Sequence, residues 1–253
     1  MEGFELFRKS KGIELLTDDE LHLLFSKLTR VRFTKNERIV KSGEFVKYIV
    51  FIENGYVKVH SESKGKGVIL NIYGPNTYAG IAVMVGREKH EFDITALEDT
   101  SAILIDINVI QSFIEGNGLF AQYMISTMGD ILVHYISHNL ITLNQNHIHG
   151  RLANTLLYLS QSVFKSHHFD LLLSRKELSQ FSNISRENVI KVLYEFNKEG
   201  LIKLSGKHIH ILNHEQLSRL AAICWQWFLY VAGHSSIFIC NFTVSEQFQI
   251  SNL

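Results

Sequence analysis

The stretch SNISRENVIKVLYEFNKEG, residues 182–200, has the pattern of a capped amphipathic helix. Its apolar residues recur at helical spacing and define the buried face, namely Val189, Val192, Leu193 and Phe196. Ser185 fits the N-cap, and Gly200 fits the position after the last turn, where a left-handed backbone costs glycine little. The opposite side of the first turns is polar, with Arg186, Glu187, Asn188 and Lys191.

The segments on either side predict a winged helix-turn-helix. Ser174-Arg-Lys-Glu177 is a capping box that opens a preceding short helix, and Asn183-Ile184 makes the turn between the helices. Residues 201–204 and 208–212 read as two strands of a wing, joined across Ser205-Gly206-Lys207. In this arrangement the N-terminal residues of the second helix meet base edges in the major groove.

The polar residues of this region therefore predict binding to double-stranded DNA. The Arg186 guanidinium matches guanine, the Glu187 carboxylate can accept from cytosine, and Lys191 can reach a base or a phosphate. Helix N-termini favour phosphate, which adds Ser185, Ser174 and Arg175; Asn188 completes the set of candidate contacts. The alternative is that this polar side is only a solvated helix face.

The charge is zero overall but unevenly distributed along the chain. Residues 1–150 carry 15 Lys and Arg against 18 Asp and Glu, whereas residues 151–220 carry 10 against 6. A basic C-terminal module behind an acidic N-terminal one is a modest indication of a polyanionic partner.

Residues 31–107 change to a period of two, which predicts a small antiparallel β domain. Its apolar runs, at 48–52, 56–59, 68–72 and 102–105, are separated by glycine-containing turns. Before it, Thr17-Asp-Asp-Glu20 is a capping box that predicts a short amphipathic helix.

From Leu119 to Asn146 the helical period returns over an unusually long segment with two apolar stripes. The first stripe contains Phe120, Met124, Met128, Ile131 and Tyr135, and the second contains Ile125, Leu132, Ile136, Leu140 and Leu143. A helix with two stripes needs two partners: it is either a buried central helix or one that packs on the β domain and on a second subunit. The first stripe is the predicted dimer interface of a homodimer.

Three stretches carry a resemblance to a known family: residues 41–60 (KSGEFVKYIVFIENGYVKVH), 151–161 (RLANTLLYLSQ) and 173–211. Across about residues 15–220 the chain resembles the cyclic-AMP receptor protein and FNR family of bacterial transcription regulators. The resemblance implies an N-terminal β-roll sensor, a dimerisation helix and a DNA-reading winged helix, with RNA polymerase as a further partner. Ser185, Arg186 and Glu187 match the family's operator-reading positions, while Lys191 stands where arginine is usual.

The resemblance also places an effector pocket at residues 78–99. Family members that bind cyclic AMP supply a Gly-Glu-Leu segment and then an Arg-Ser pair, but here Gly80 is followed by Ile81 and Ala82, and His90-Glu91 stands near the Arg-Ser position. A glutamate would repel the phosphate, and an unpaired buried phosphate is costly. Tight cyclic AMP binding is therefore not expected; the pocket either holds another small-molecule effector or is filled by core side chains.

Metal and catalytic sites are not expected. Both cysteines, Cys224 and Cys240, lie near the C-terminus, which argues against a disulfide framework or an iron–sulfur cluster, and the histidines leave haem open. The pairs His147/His149 and His208/His210 invite a metal site, but neither has an evident third ligand in the sequence. The chain has no nucleophile elbow, phosphate loop or paired catalytic carboxylates, so it is not expected to be an enzyme.

The chain ends suggest a cytoplasmic protein. The charged start, MEGFELFRKSKG, does not resemble a signal peptide. Residues 221–253 contain apolar runs without Lys or Arg, which predict an added packing helix or, as the alternative, a membrane-associated tail; no membrane span is expected.

The predicted fold class is α+β, with an N-terminal double-stranded β-helix of the cyclic-nucleotide-binding type. The predicted units are a β-roll sensor (1–118), a dimerisation helix and hinge (119–146), a winged helix-turn-helix (147–220) and an apolar extension of unknown role (221–253). The predicted function is a homodimeric transcription regulator that reads a palindromic operator. The alternative is a ligand-binding or protein-interaction module whose DNA-binding domain no longer functions.

Overall fold

The computed structural model describes residues 7–8, 10–63, 66–81, 88–144 and 147–221, and their side chains except those of 63, 66 and 134–144. The predicted residues Ala82 and 222–253, together with the side chain of Tyr135, lie outside these described parts. The chain forms an N-terminal β domain, a long helix and a C-terminal domain of short helices with a small sheet, so the fold class is α+β as predicted.

The β domain consists of two antiparallel four-stranded sheets. Its strands are β1 (Leu28–Phe33), β2 (Arg38–Val40), β3 (Tyr48–Asn54), β4 (Val57–Ser63), β5 (Lys66–Tyr73), β6 (Thr77–Ala79), β7 (Asp93–Ala96) and β8 (Thr100–Asp106). One sheet has the order β1-β8-β3-β6 and the other has the order β2-β7-β4-β5. Five consecutive buried residues in β3 show that this strand is covered on both faces.

Gly55 makes the turn from β3 into β4 possible. Its φ of 87° is in the left-handed region that favours glycine. A Cβ atom at this position would lie 2.8 Å from the Asp99 carbonyl oxygen and 2.6 Å from the Thr100 hydroxyl. The residue is therefore required both by the backbone conformation and by the close approach of the β7–β8 turn.

The helices α1 (Asp18–Ser26), α2 (Ile107–Gly116) and the long α3 (Gly118–Asn144) pack around this domain. The predicted capping box of α1 is confirmed, since the Thr17 hydroxyl accepts from the Glu20 backbone N–H and the Glu20 carboxylate accepts from the Thr17 N–H. A single 3₁₀ turn, Ile13–Leu15, precedes α1.

Part of the predicted dimer interface on α3 is covered within its own chain. Phe120 and Met124 are 4 % and 3 % exposed and lie in the core of their own chain, and Met128 and Ile131 pack against the same cluster. The ring of Phe120 meets Phe113 of α2 edge-on, with centroids 5.6 Å apart. α2 and the β domain thus cover Phe120 and Met124, and these two side chains are not available to a partner, whereas Met128 and Ile131 remain partly exposed. Helical periodicity shows that two stripes exist but not which residues are covered.

The C-terminal domain is built on the elements predicted for a winged helix-turn-helix. Its helices are α4 (Ile148–Tyr158), continued by a π turn (Leu159–Val163), α5 (Arg175–Ser182), α6 (Arg186–Lys198) and α7 (His214–Ala221). Its strands are β9 (His168–Asp170), β10 (Ile202–Ser205) and β11 (His208–Ile211), in the antiparallel order β10-β11-β9. The long helix α3 ends at Asn144, and α4 begins at Ile148.

The two domains share one apolar core. Ile69, Ile72 and Leu97 of the β domain belong to the same buried cluster as the core residues of the C-terminal helices. Tyr158 of α4 donates a 2.6 Å hydrogen bond from its hydroxyl to the side-chain oxygen of Asn71 on β5. Burial raises the pKa of Tyr158, so the phenol remains a donor across the physiological range.

An ion pair closes the same joint. The Lys58 ammonium on β4 lies 2.5 Å from the Glu177 carboxylate on α5, and the two side chains are only 15 % and 20 % exposed. Burial opposes ionisation of Glu177, but hydrogen bonds from Lys58 and from the Ser174 N–H outweigh it and lower its pKa below the usual 4.5. Glu177 is therefore anionic at neutral pH and links the β domain to the first helix of the helix-turn-helix.

Replacement of Lys58 tests this joint. Lys58→Met keeps most of the aliphatic stem but leaves the Glu177 carboxylate without its cation, so we expect the free energy of unfolding to fall by about 1–3 kcal/mol in urea denaturation at pH 7. Because the pKa of Glu177 is lowered in the folded state, the stabilisation is present above pH 4.5 and is lost as the pH falls through the lowered value.

Exposed Lys27 at the end of α1 provides the matched control, since Lys27→Met removes the same charge away from the joint. An equal loss of stability in both variants, or a loss for Lys58→Met that persists unchanged in acid, would contradict the role of the ion pair.

Candidate nucleic-acid interface

Two capped helices form the helix-turn-helix. The Ser174 hydroxyl accepts from the Glu177 N–H at 3.2 Å and the Glu177 carboxylate accepts from the Ser174 N–H at 2.8 Å, which confirms the predicted capping box of α5. The Ser185 hydroxyl accepts from the Asn188 N–H at 3.2 Å and caps α6. Both hydroxyls therefore serve the helix starts, and each cap is exposed at the surface.

The turn between the helices is fixed by three features. Asn183 adopts the left-handed conformation at φ 52° and ψ 44°, which asparagine tolerates better than most residues. Ile184 is buried in the domain core, which anchors the turn from below. Arg151 of α4 donates a 2.8 Å hydrogen bond from Nη1 to the Asn183 carbonyl oxygen. These contacts set the angle at which α6 leaves the turn.

The buried side of α6 is the one that the sequence predicted. Each of its four members is no more than 1 % exposed, namely Val189, Val192, Leu193 and Phe196. This face packs in the same cluster as Leu178 and Phe181 of α5. The opposite side of α6 is therefore held outward.

That outward side has the charged residues of the prediction and two apolar ones besides. Arg186, Glu187 and Lys191 are exposed, and Asn188 is half-buried beside them. Ile190 and Tyr194 are 50 % and 66 % exposed on the same side. These two were not among the predicted DNA contacts. Ile190 nevertheless interrupts the periodic spacing of the buried face, so it is an apolar residue without a place in the core. Apolar side chains at such positions can contact the thymine methyl group.

Neighbouring charges set the electrostatics of this side. The Glu187 carboxylate accepts from its own backbone N–H and from Ser185 and lies near Arg186, which together lower its pKa. It is thus an acceptor at physiological pH. Lys191 lies 3.9 Å from Glu195 in an exposed i,i+4 pair, and Glu195 also pairs with His149 of α4 at 2.8 Å. A surface pair of this kind is weak, so Lys191 can exchange Glu195 for another anion.

Arg175 is placed differently from the other predicted DNA contacts. Its guanidinium is half-buried and donates a 3.1 Å hydrogen bond from Nη2 to the Gly206 carbonyl oxygen in the wing turn. Burial lowers its pKa without removing its charge at neutral pH. Arg175 therefore joins α5 to the β10–β11 hairpin and holds the wing beside the helix-turn-helix.

The predicted effector region of the β domain is partly described. Gly80 has a φ of 72°, and Ile81 is fully buried in the core with Ile49 and Ile103. His90 is buried, and burial lowers its pKa against the opposing effect of Glu44, whereas Glu91 is exposed. At Ile81 the structure thus has a packed apolar side chain, as in the filled-core alternative. The two residues near the Arg-Ser position differ in their exposure to solvent, since one is buried in the domain and the other lies at its surface.

A β-roll joined by a long helix to a winged helix-turn-helix with an exposed polar recognition helix defines a DNA-binding transcription regulator with an attached sensor-type domain. Comparison with known proteins gives the same assignment for both parts. Residues 30–117 match the cyclic nucleotide-binding domain, and residues 150–220 match the Crp-like helix-turn-helix domain. The chain belongs to the Crp-Fnr family of bacterial transcription regulators.

Individual relatives of the same type align over most of their own length. The CRP-like cAMP-activated global transcriptional regulator of Mycobacterium tuberculosis is 26 % identical over 203 residues, covering 78 % of this chain and 90 % of that protein. The fumarate and nitrate reduction regulatory protein of Vibrio cholerae is 22 % identical over 214 residues, covering 82 % and 85 %. The structure of FixK2 from Bradyrhizobium japonicum has the same fold, with a TM-score of 0.70 at 22 % identity over 76 % of this chain and 96 % of that one.

The membrane alternative raised for the C-terminal tail concerns residues beyond 221. Among the helices that the structure describes, none combines the length and the apolar character needed to cross a bilayer.

Proposed function

We propose that this regulator acts as a homodimer that inserts one α6 helix from each subunit into successive major grooves of a palindromic operator. The observation that carries the proposal is the outward side of α6, where Arg186, Glu187 and Lys191 stand exposed at the start of a helix that two caps and a fixed turn hold in place. Successive major grooves on one side of a duplex are ~34 Å apart, so a twofold pair of such helices reads two half-sites. This bacterial regulator would act in the cytoplasm, where its DNA is.

The exposed apolar side of α3, formed by Ile125 and Leu132 of the second stripe with Leu119 and Val133 beside them, is the proposed dimer interface. Leu119, Ile125, Leu132 and Val133 are 64 %, 72 %, 49 % and 58 % exposed, an unusual density of large apolar groups on one helix. Gly129 lies between Ile125 and Leu132, and a Cβ atom there would meet nothing within 4 Å. A glycine at this point allows a second helix to approach closely, and pairing two such faces would remove the stripes from water.

Charge on this face tests dimerisation. Ile125→Glu combined with Leu132→Glu would bury four like charges in a twofold interface, so we expect a monomer in sedimentation velocity where the wild type is a dimer. Half-site contacts alone bind weakly, and the affinity for a palindromic DNA should fall by more than tenfold in the same variant.

Gln111→Glu supplies the control, because it adds a carboxylate at an exposed position of α2 away from the stripe. A double variant that remains dimeric while the fold is intact by circular dichroism would rule out this face as the interface.

Selection of bound fragments from random DNA tests whether the protein recognises a specific operator sequence. The wild type should recover an inverted repeat, and Arg186→Ala should cost ~1–3 kcal/mol while relaxing the preference at one base pair per half-site. Lys191→Ala should instead weaken binding to all sequences if Lys191 contacts phosphate, with a shallower salt dependence.

Failure to enrich any sequence at low salt would contradict the proposed operator reading. A uniform loss for Arg186→Ala on every DNA would reassign that guanidinium to the phosphate backbone. Lys198→Ala, in the last turn of α6 and far from its N-terminus, serves as the matched control for the loss of one basic side chain.

The sensor pocket, we propose, does not take cyclic AMP. Ile81 fills with hydrocarbon the position at which the family's nucleotide-binding members place glutamate, and a buried neutral His90 offers no fixed positive charge to a phosphate. Any effector of this chain would then be a molecule of different chemistry, or a contact on the domain surface. Its signal would reach the helix-turn-helix through the joint that contains Lys58 and Glu177. At a promoter, RNA polymerase is the partner that such a regulator would contact.

Calorimetric titration with cyclic AMP tests this point. We expect no saturable heat from micromolar to millimolar nucleotide, because the anion would lose water without gaining a paired arginine. The cAMP-activated regulator of M. tuberculosis, titrated in the same buffer, is the positive control. A dissociation constant in the micromolar range for the present chain would show the proposal to be wrong.

A further inference from the structure

The outward face of the small C-terminal sheet gathers three histidines and an aspartate. His168 and Asp170 on β9 are paired in register with His210 and His208 on β11. Since side chains two apart on a strand point to the same side, all four lie on one face. Phe169 and Ile209, which alternate with them, are 8 % and 2 % exposed and face the core.

The side chains on this face already make pairwise contacts. The rings of His168 and His210 approach with centroids 3.4 Å apart. Nδ1 of His208 lies within hydrogen-bond distance of the Asp170 carboxylate. A bond at Nδ1 directs Nε2, the other ring nitrogen, away from Asp170. A histidine whose second nitrogen is oriented by a carboxylate is the usual form of a metal-ligating imidazole.

We propose that His168, His208 and His210 bind a divalent transition-metal ion, with zinc or nickel the best match, and that Asp170 orients the His208 ligand. Two histidines at i and i+2 on one strand and a third on the neighbouring strand present three imidazoles to one point above a sheet. Three nitrogen ligands leave the fourth position of a tetrahedral ion open to water. The sequence contains the His208/His210 pair, but only the β9–β11 pairing supplies the third ligand.

Local side-chain movement is needed for the site to close. Within the described parts of the chain, no three His, Cys, Asp or Glu side chains converge as metal ligands in the present arrangement. His168 and His208 are exposed and His210 is half-buried, so their side-chain torsions can turn without disturbing the core. Metal–nitrogen distances of about 2.0–2.1 Å are the required end point.

Some of the charges around the histidine cluster oppose the binding of a metal ion, and one favours it. Lys203 is paired in register with His210, and Lys207 lies 2.8 Å from Asp170, so two cations border the site and disfavour a metal ion. The Asp170 carboxylate opposes them.

The second His-x-His pair of the sequence does not form a comparable site. The imidazole of His149 forms a hydrogen bond to Glu195 at 2.8 Å across the α4–α6 contact.

A metal ion held between β9 and β11 would cross-link the wing sheet at its outer face. It would bind the folded sheet and not the unfolded chain, so it raises thermal stability by mass action.

Titration of the full-length, chelator-treated protein with zinc chloride alone tests the inference. We expect one saturable site per chain, a rise in Tm with zinc, and for cobalt(II) the visible absorption of a tetrahedral complex. His168→Ala combined with His210→Ala should weaken the site at least tenfold and abolish the shift in Tm. His22→Ala, which removes an exposed histidine from α1, should leave both unchanged.

The single variant His168→Gln guards against loss of the sheet, because His168 is exposed on the short outer strand β9. It should lose the site while keeping the wild-type circular dichroism and the metal-free Tm. The inference is overturned if the wild type shows no saturable zinc binding, or if the histidine variants bind with unchanged stoichiometry and affinity. Metal binding is measured without DNA, so neither result depends on operator binding.

Discussion

The continuous apolar core that joins β5 to the C-terminal helices is the constraint on which the rest of the structure depends. Ile69 and Ile72 leave the interior of the β-roll and enter the core beneath the helix-turn-helix. Burial of such side chains contributes roughly 1.5–3 kcal/mol each, far more than an exposed ion pair. The orientation of the DNA-binding domain is therefore set mainly by packing, and the polar contacts at Asn71 and Lys58 select one geometry within it.

This packing explains how α3 divides its two stripes. Phe120 and Met124 pack within the chain because α2 and the β domain lie against them, whereas Ile125 and Leu132 of the second stripe are exposed in a single subunit. A helix that is covered on one side by its own sensor domain and on the other by a twofold mate would connect the two sensor domains physically. The same connection would keep two recognition helices at a fixed separation.

The local features of the fold could be predicted from sequence, and the reason is that each is encoded within a few residues. The capping boxes at Thr17 and Ser174 and the buried face of α6 depend on spacings of three or four residues. Four strands of the β domain, β3, β4, β5 and β8, coincide with apolar runs that glycine-containing turns separate. In each case the residues that form the feature are neighbours along the chain.

Features that join distant segments were not predictable in the same way. Lys58 and Glu177 are 119 positions apart, and the sequence around either residue does not indicate that the two are in contact. The retention of Arg175 by the wing turn and the pairing of His168 with His210 likewise depend on tertiary geometry. Periodicity indicated two apolar stripes on α3, but only the packing shows that Phe120 lies in the core of its own chain. The exposure of Ile190 and Tyr194 on the outward side of α6 likewise depends on how this helix packs in the domain.

The position of Glu177 has a mechanical consequence. One of its carboxylate oxygens completes the start of α5 by accepting from Ser174, and the other receives the ammonium of Lys58 from the sensor domain. The two oxygens are rigidly connected, so a displacement of β4 that pulls on one also strains the bond at the other. Movement of the sensor domain would thus loosen or tighten the first turn of α5, the first helix of the helix-turn-helix. The two domains would not need to separate for this to happen.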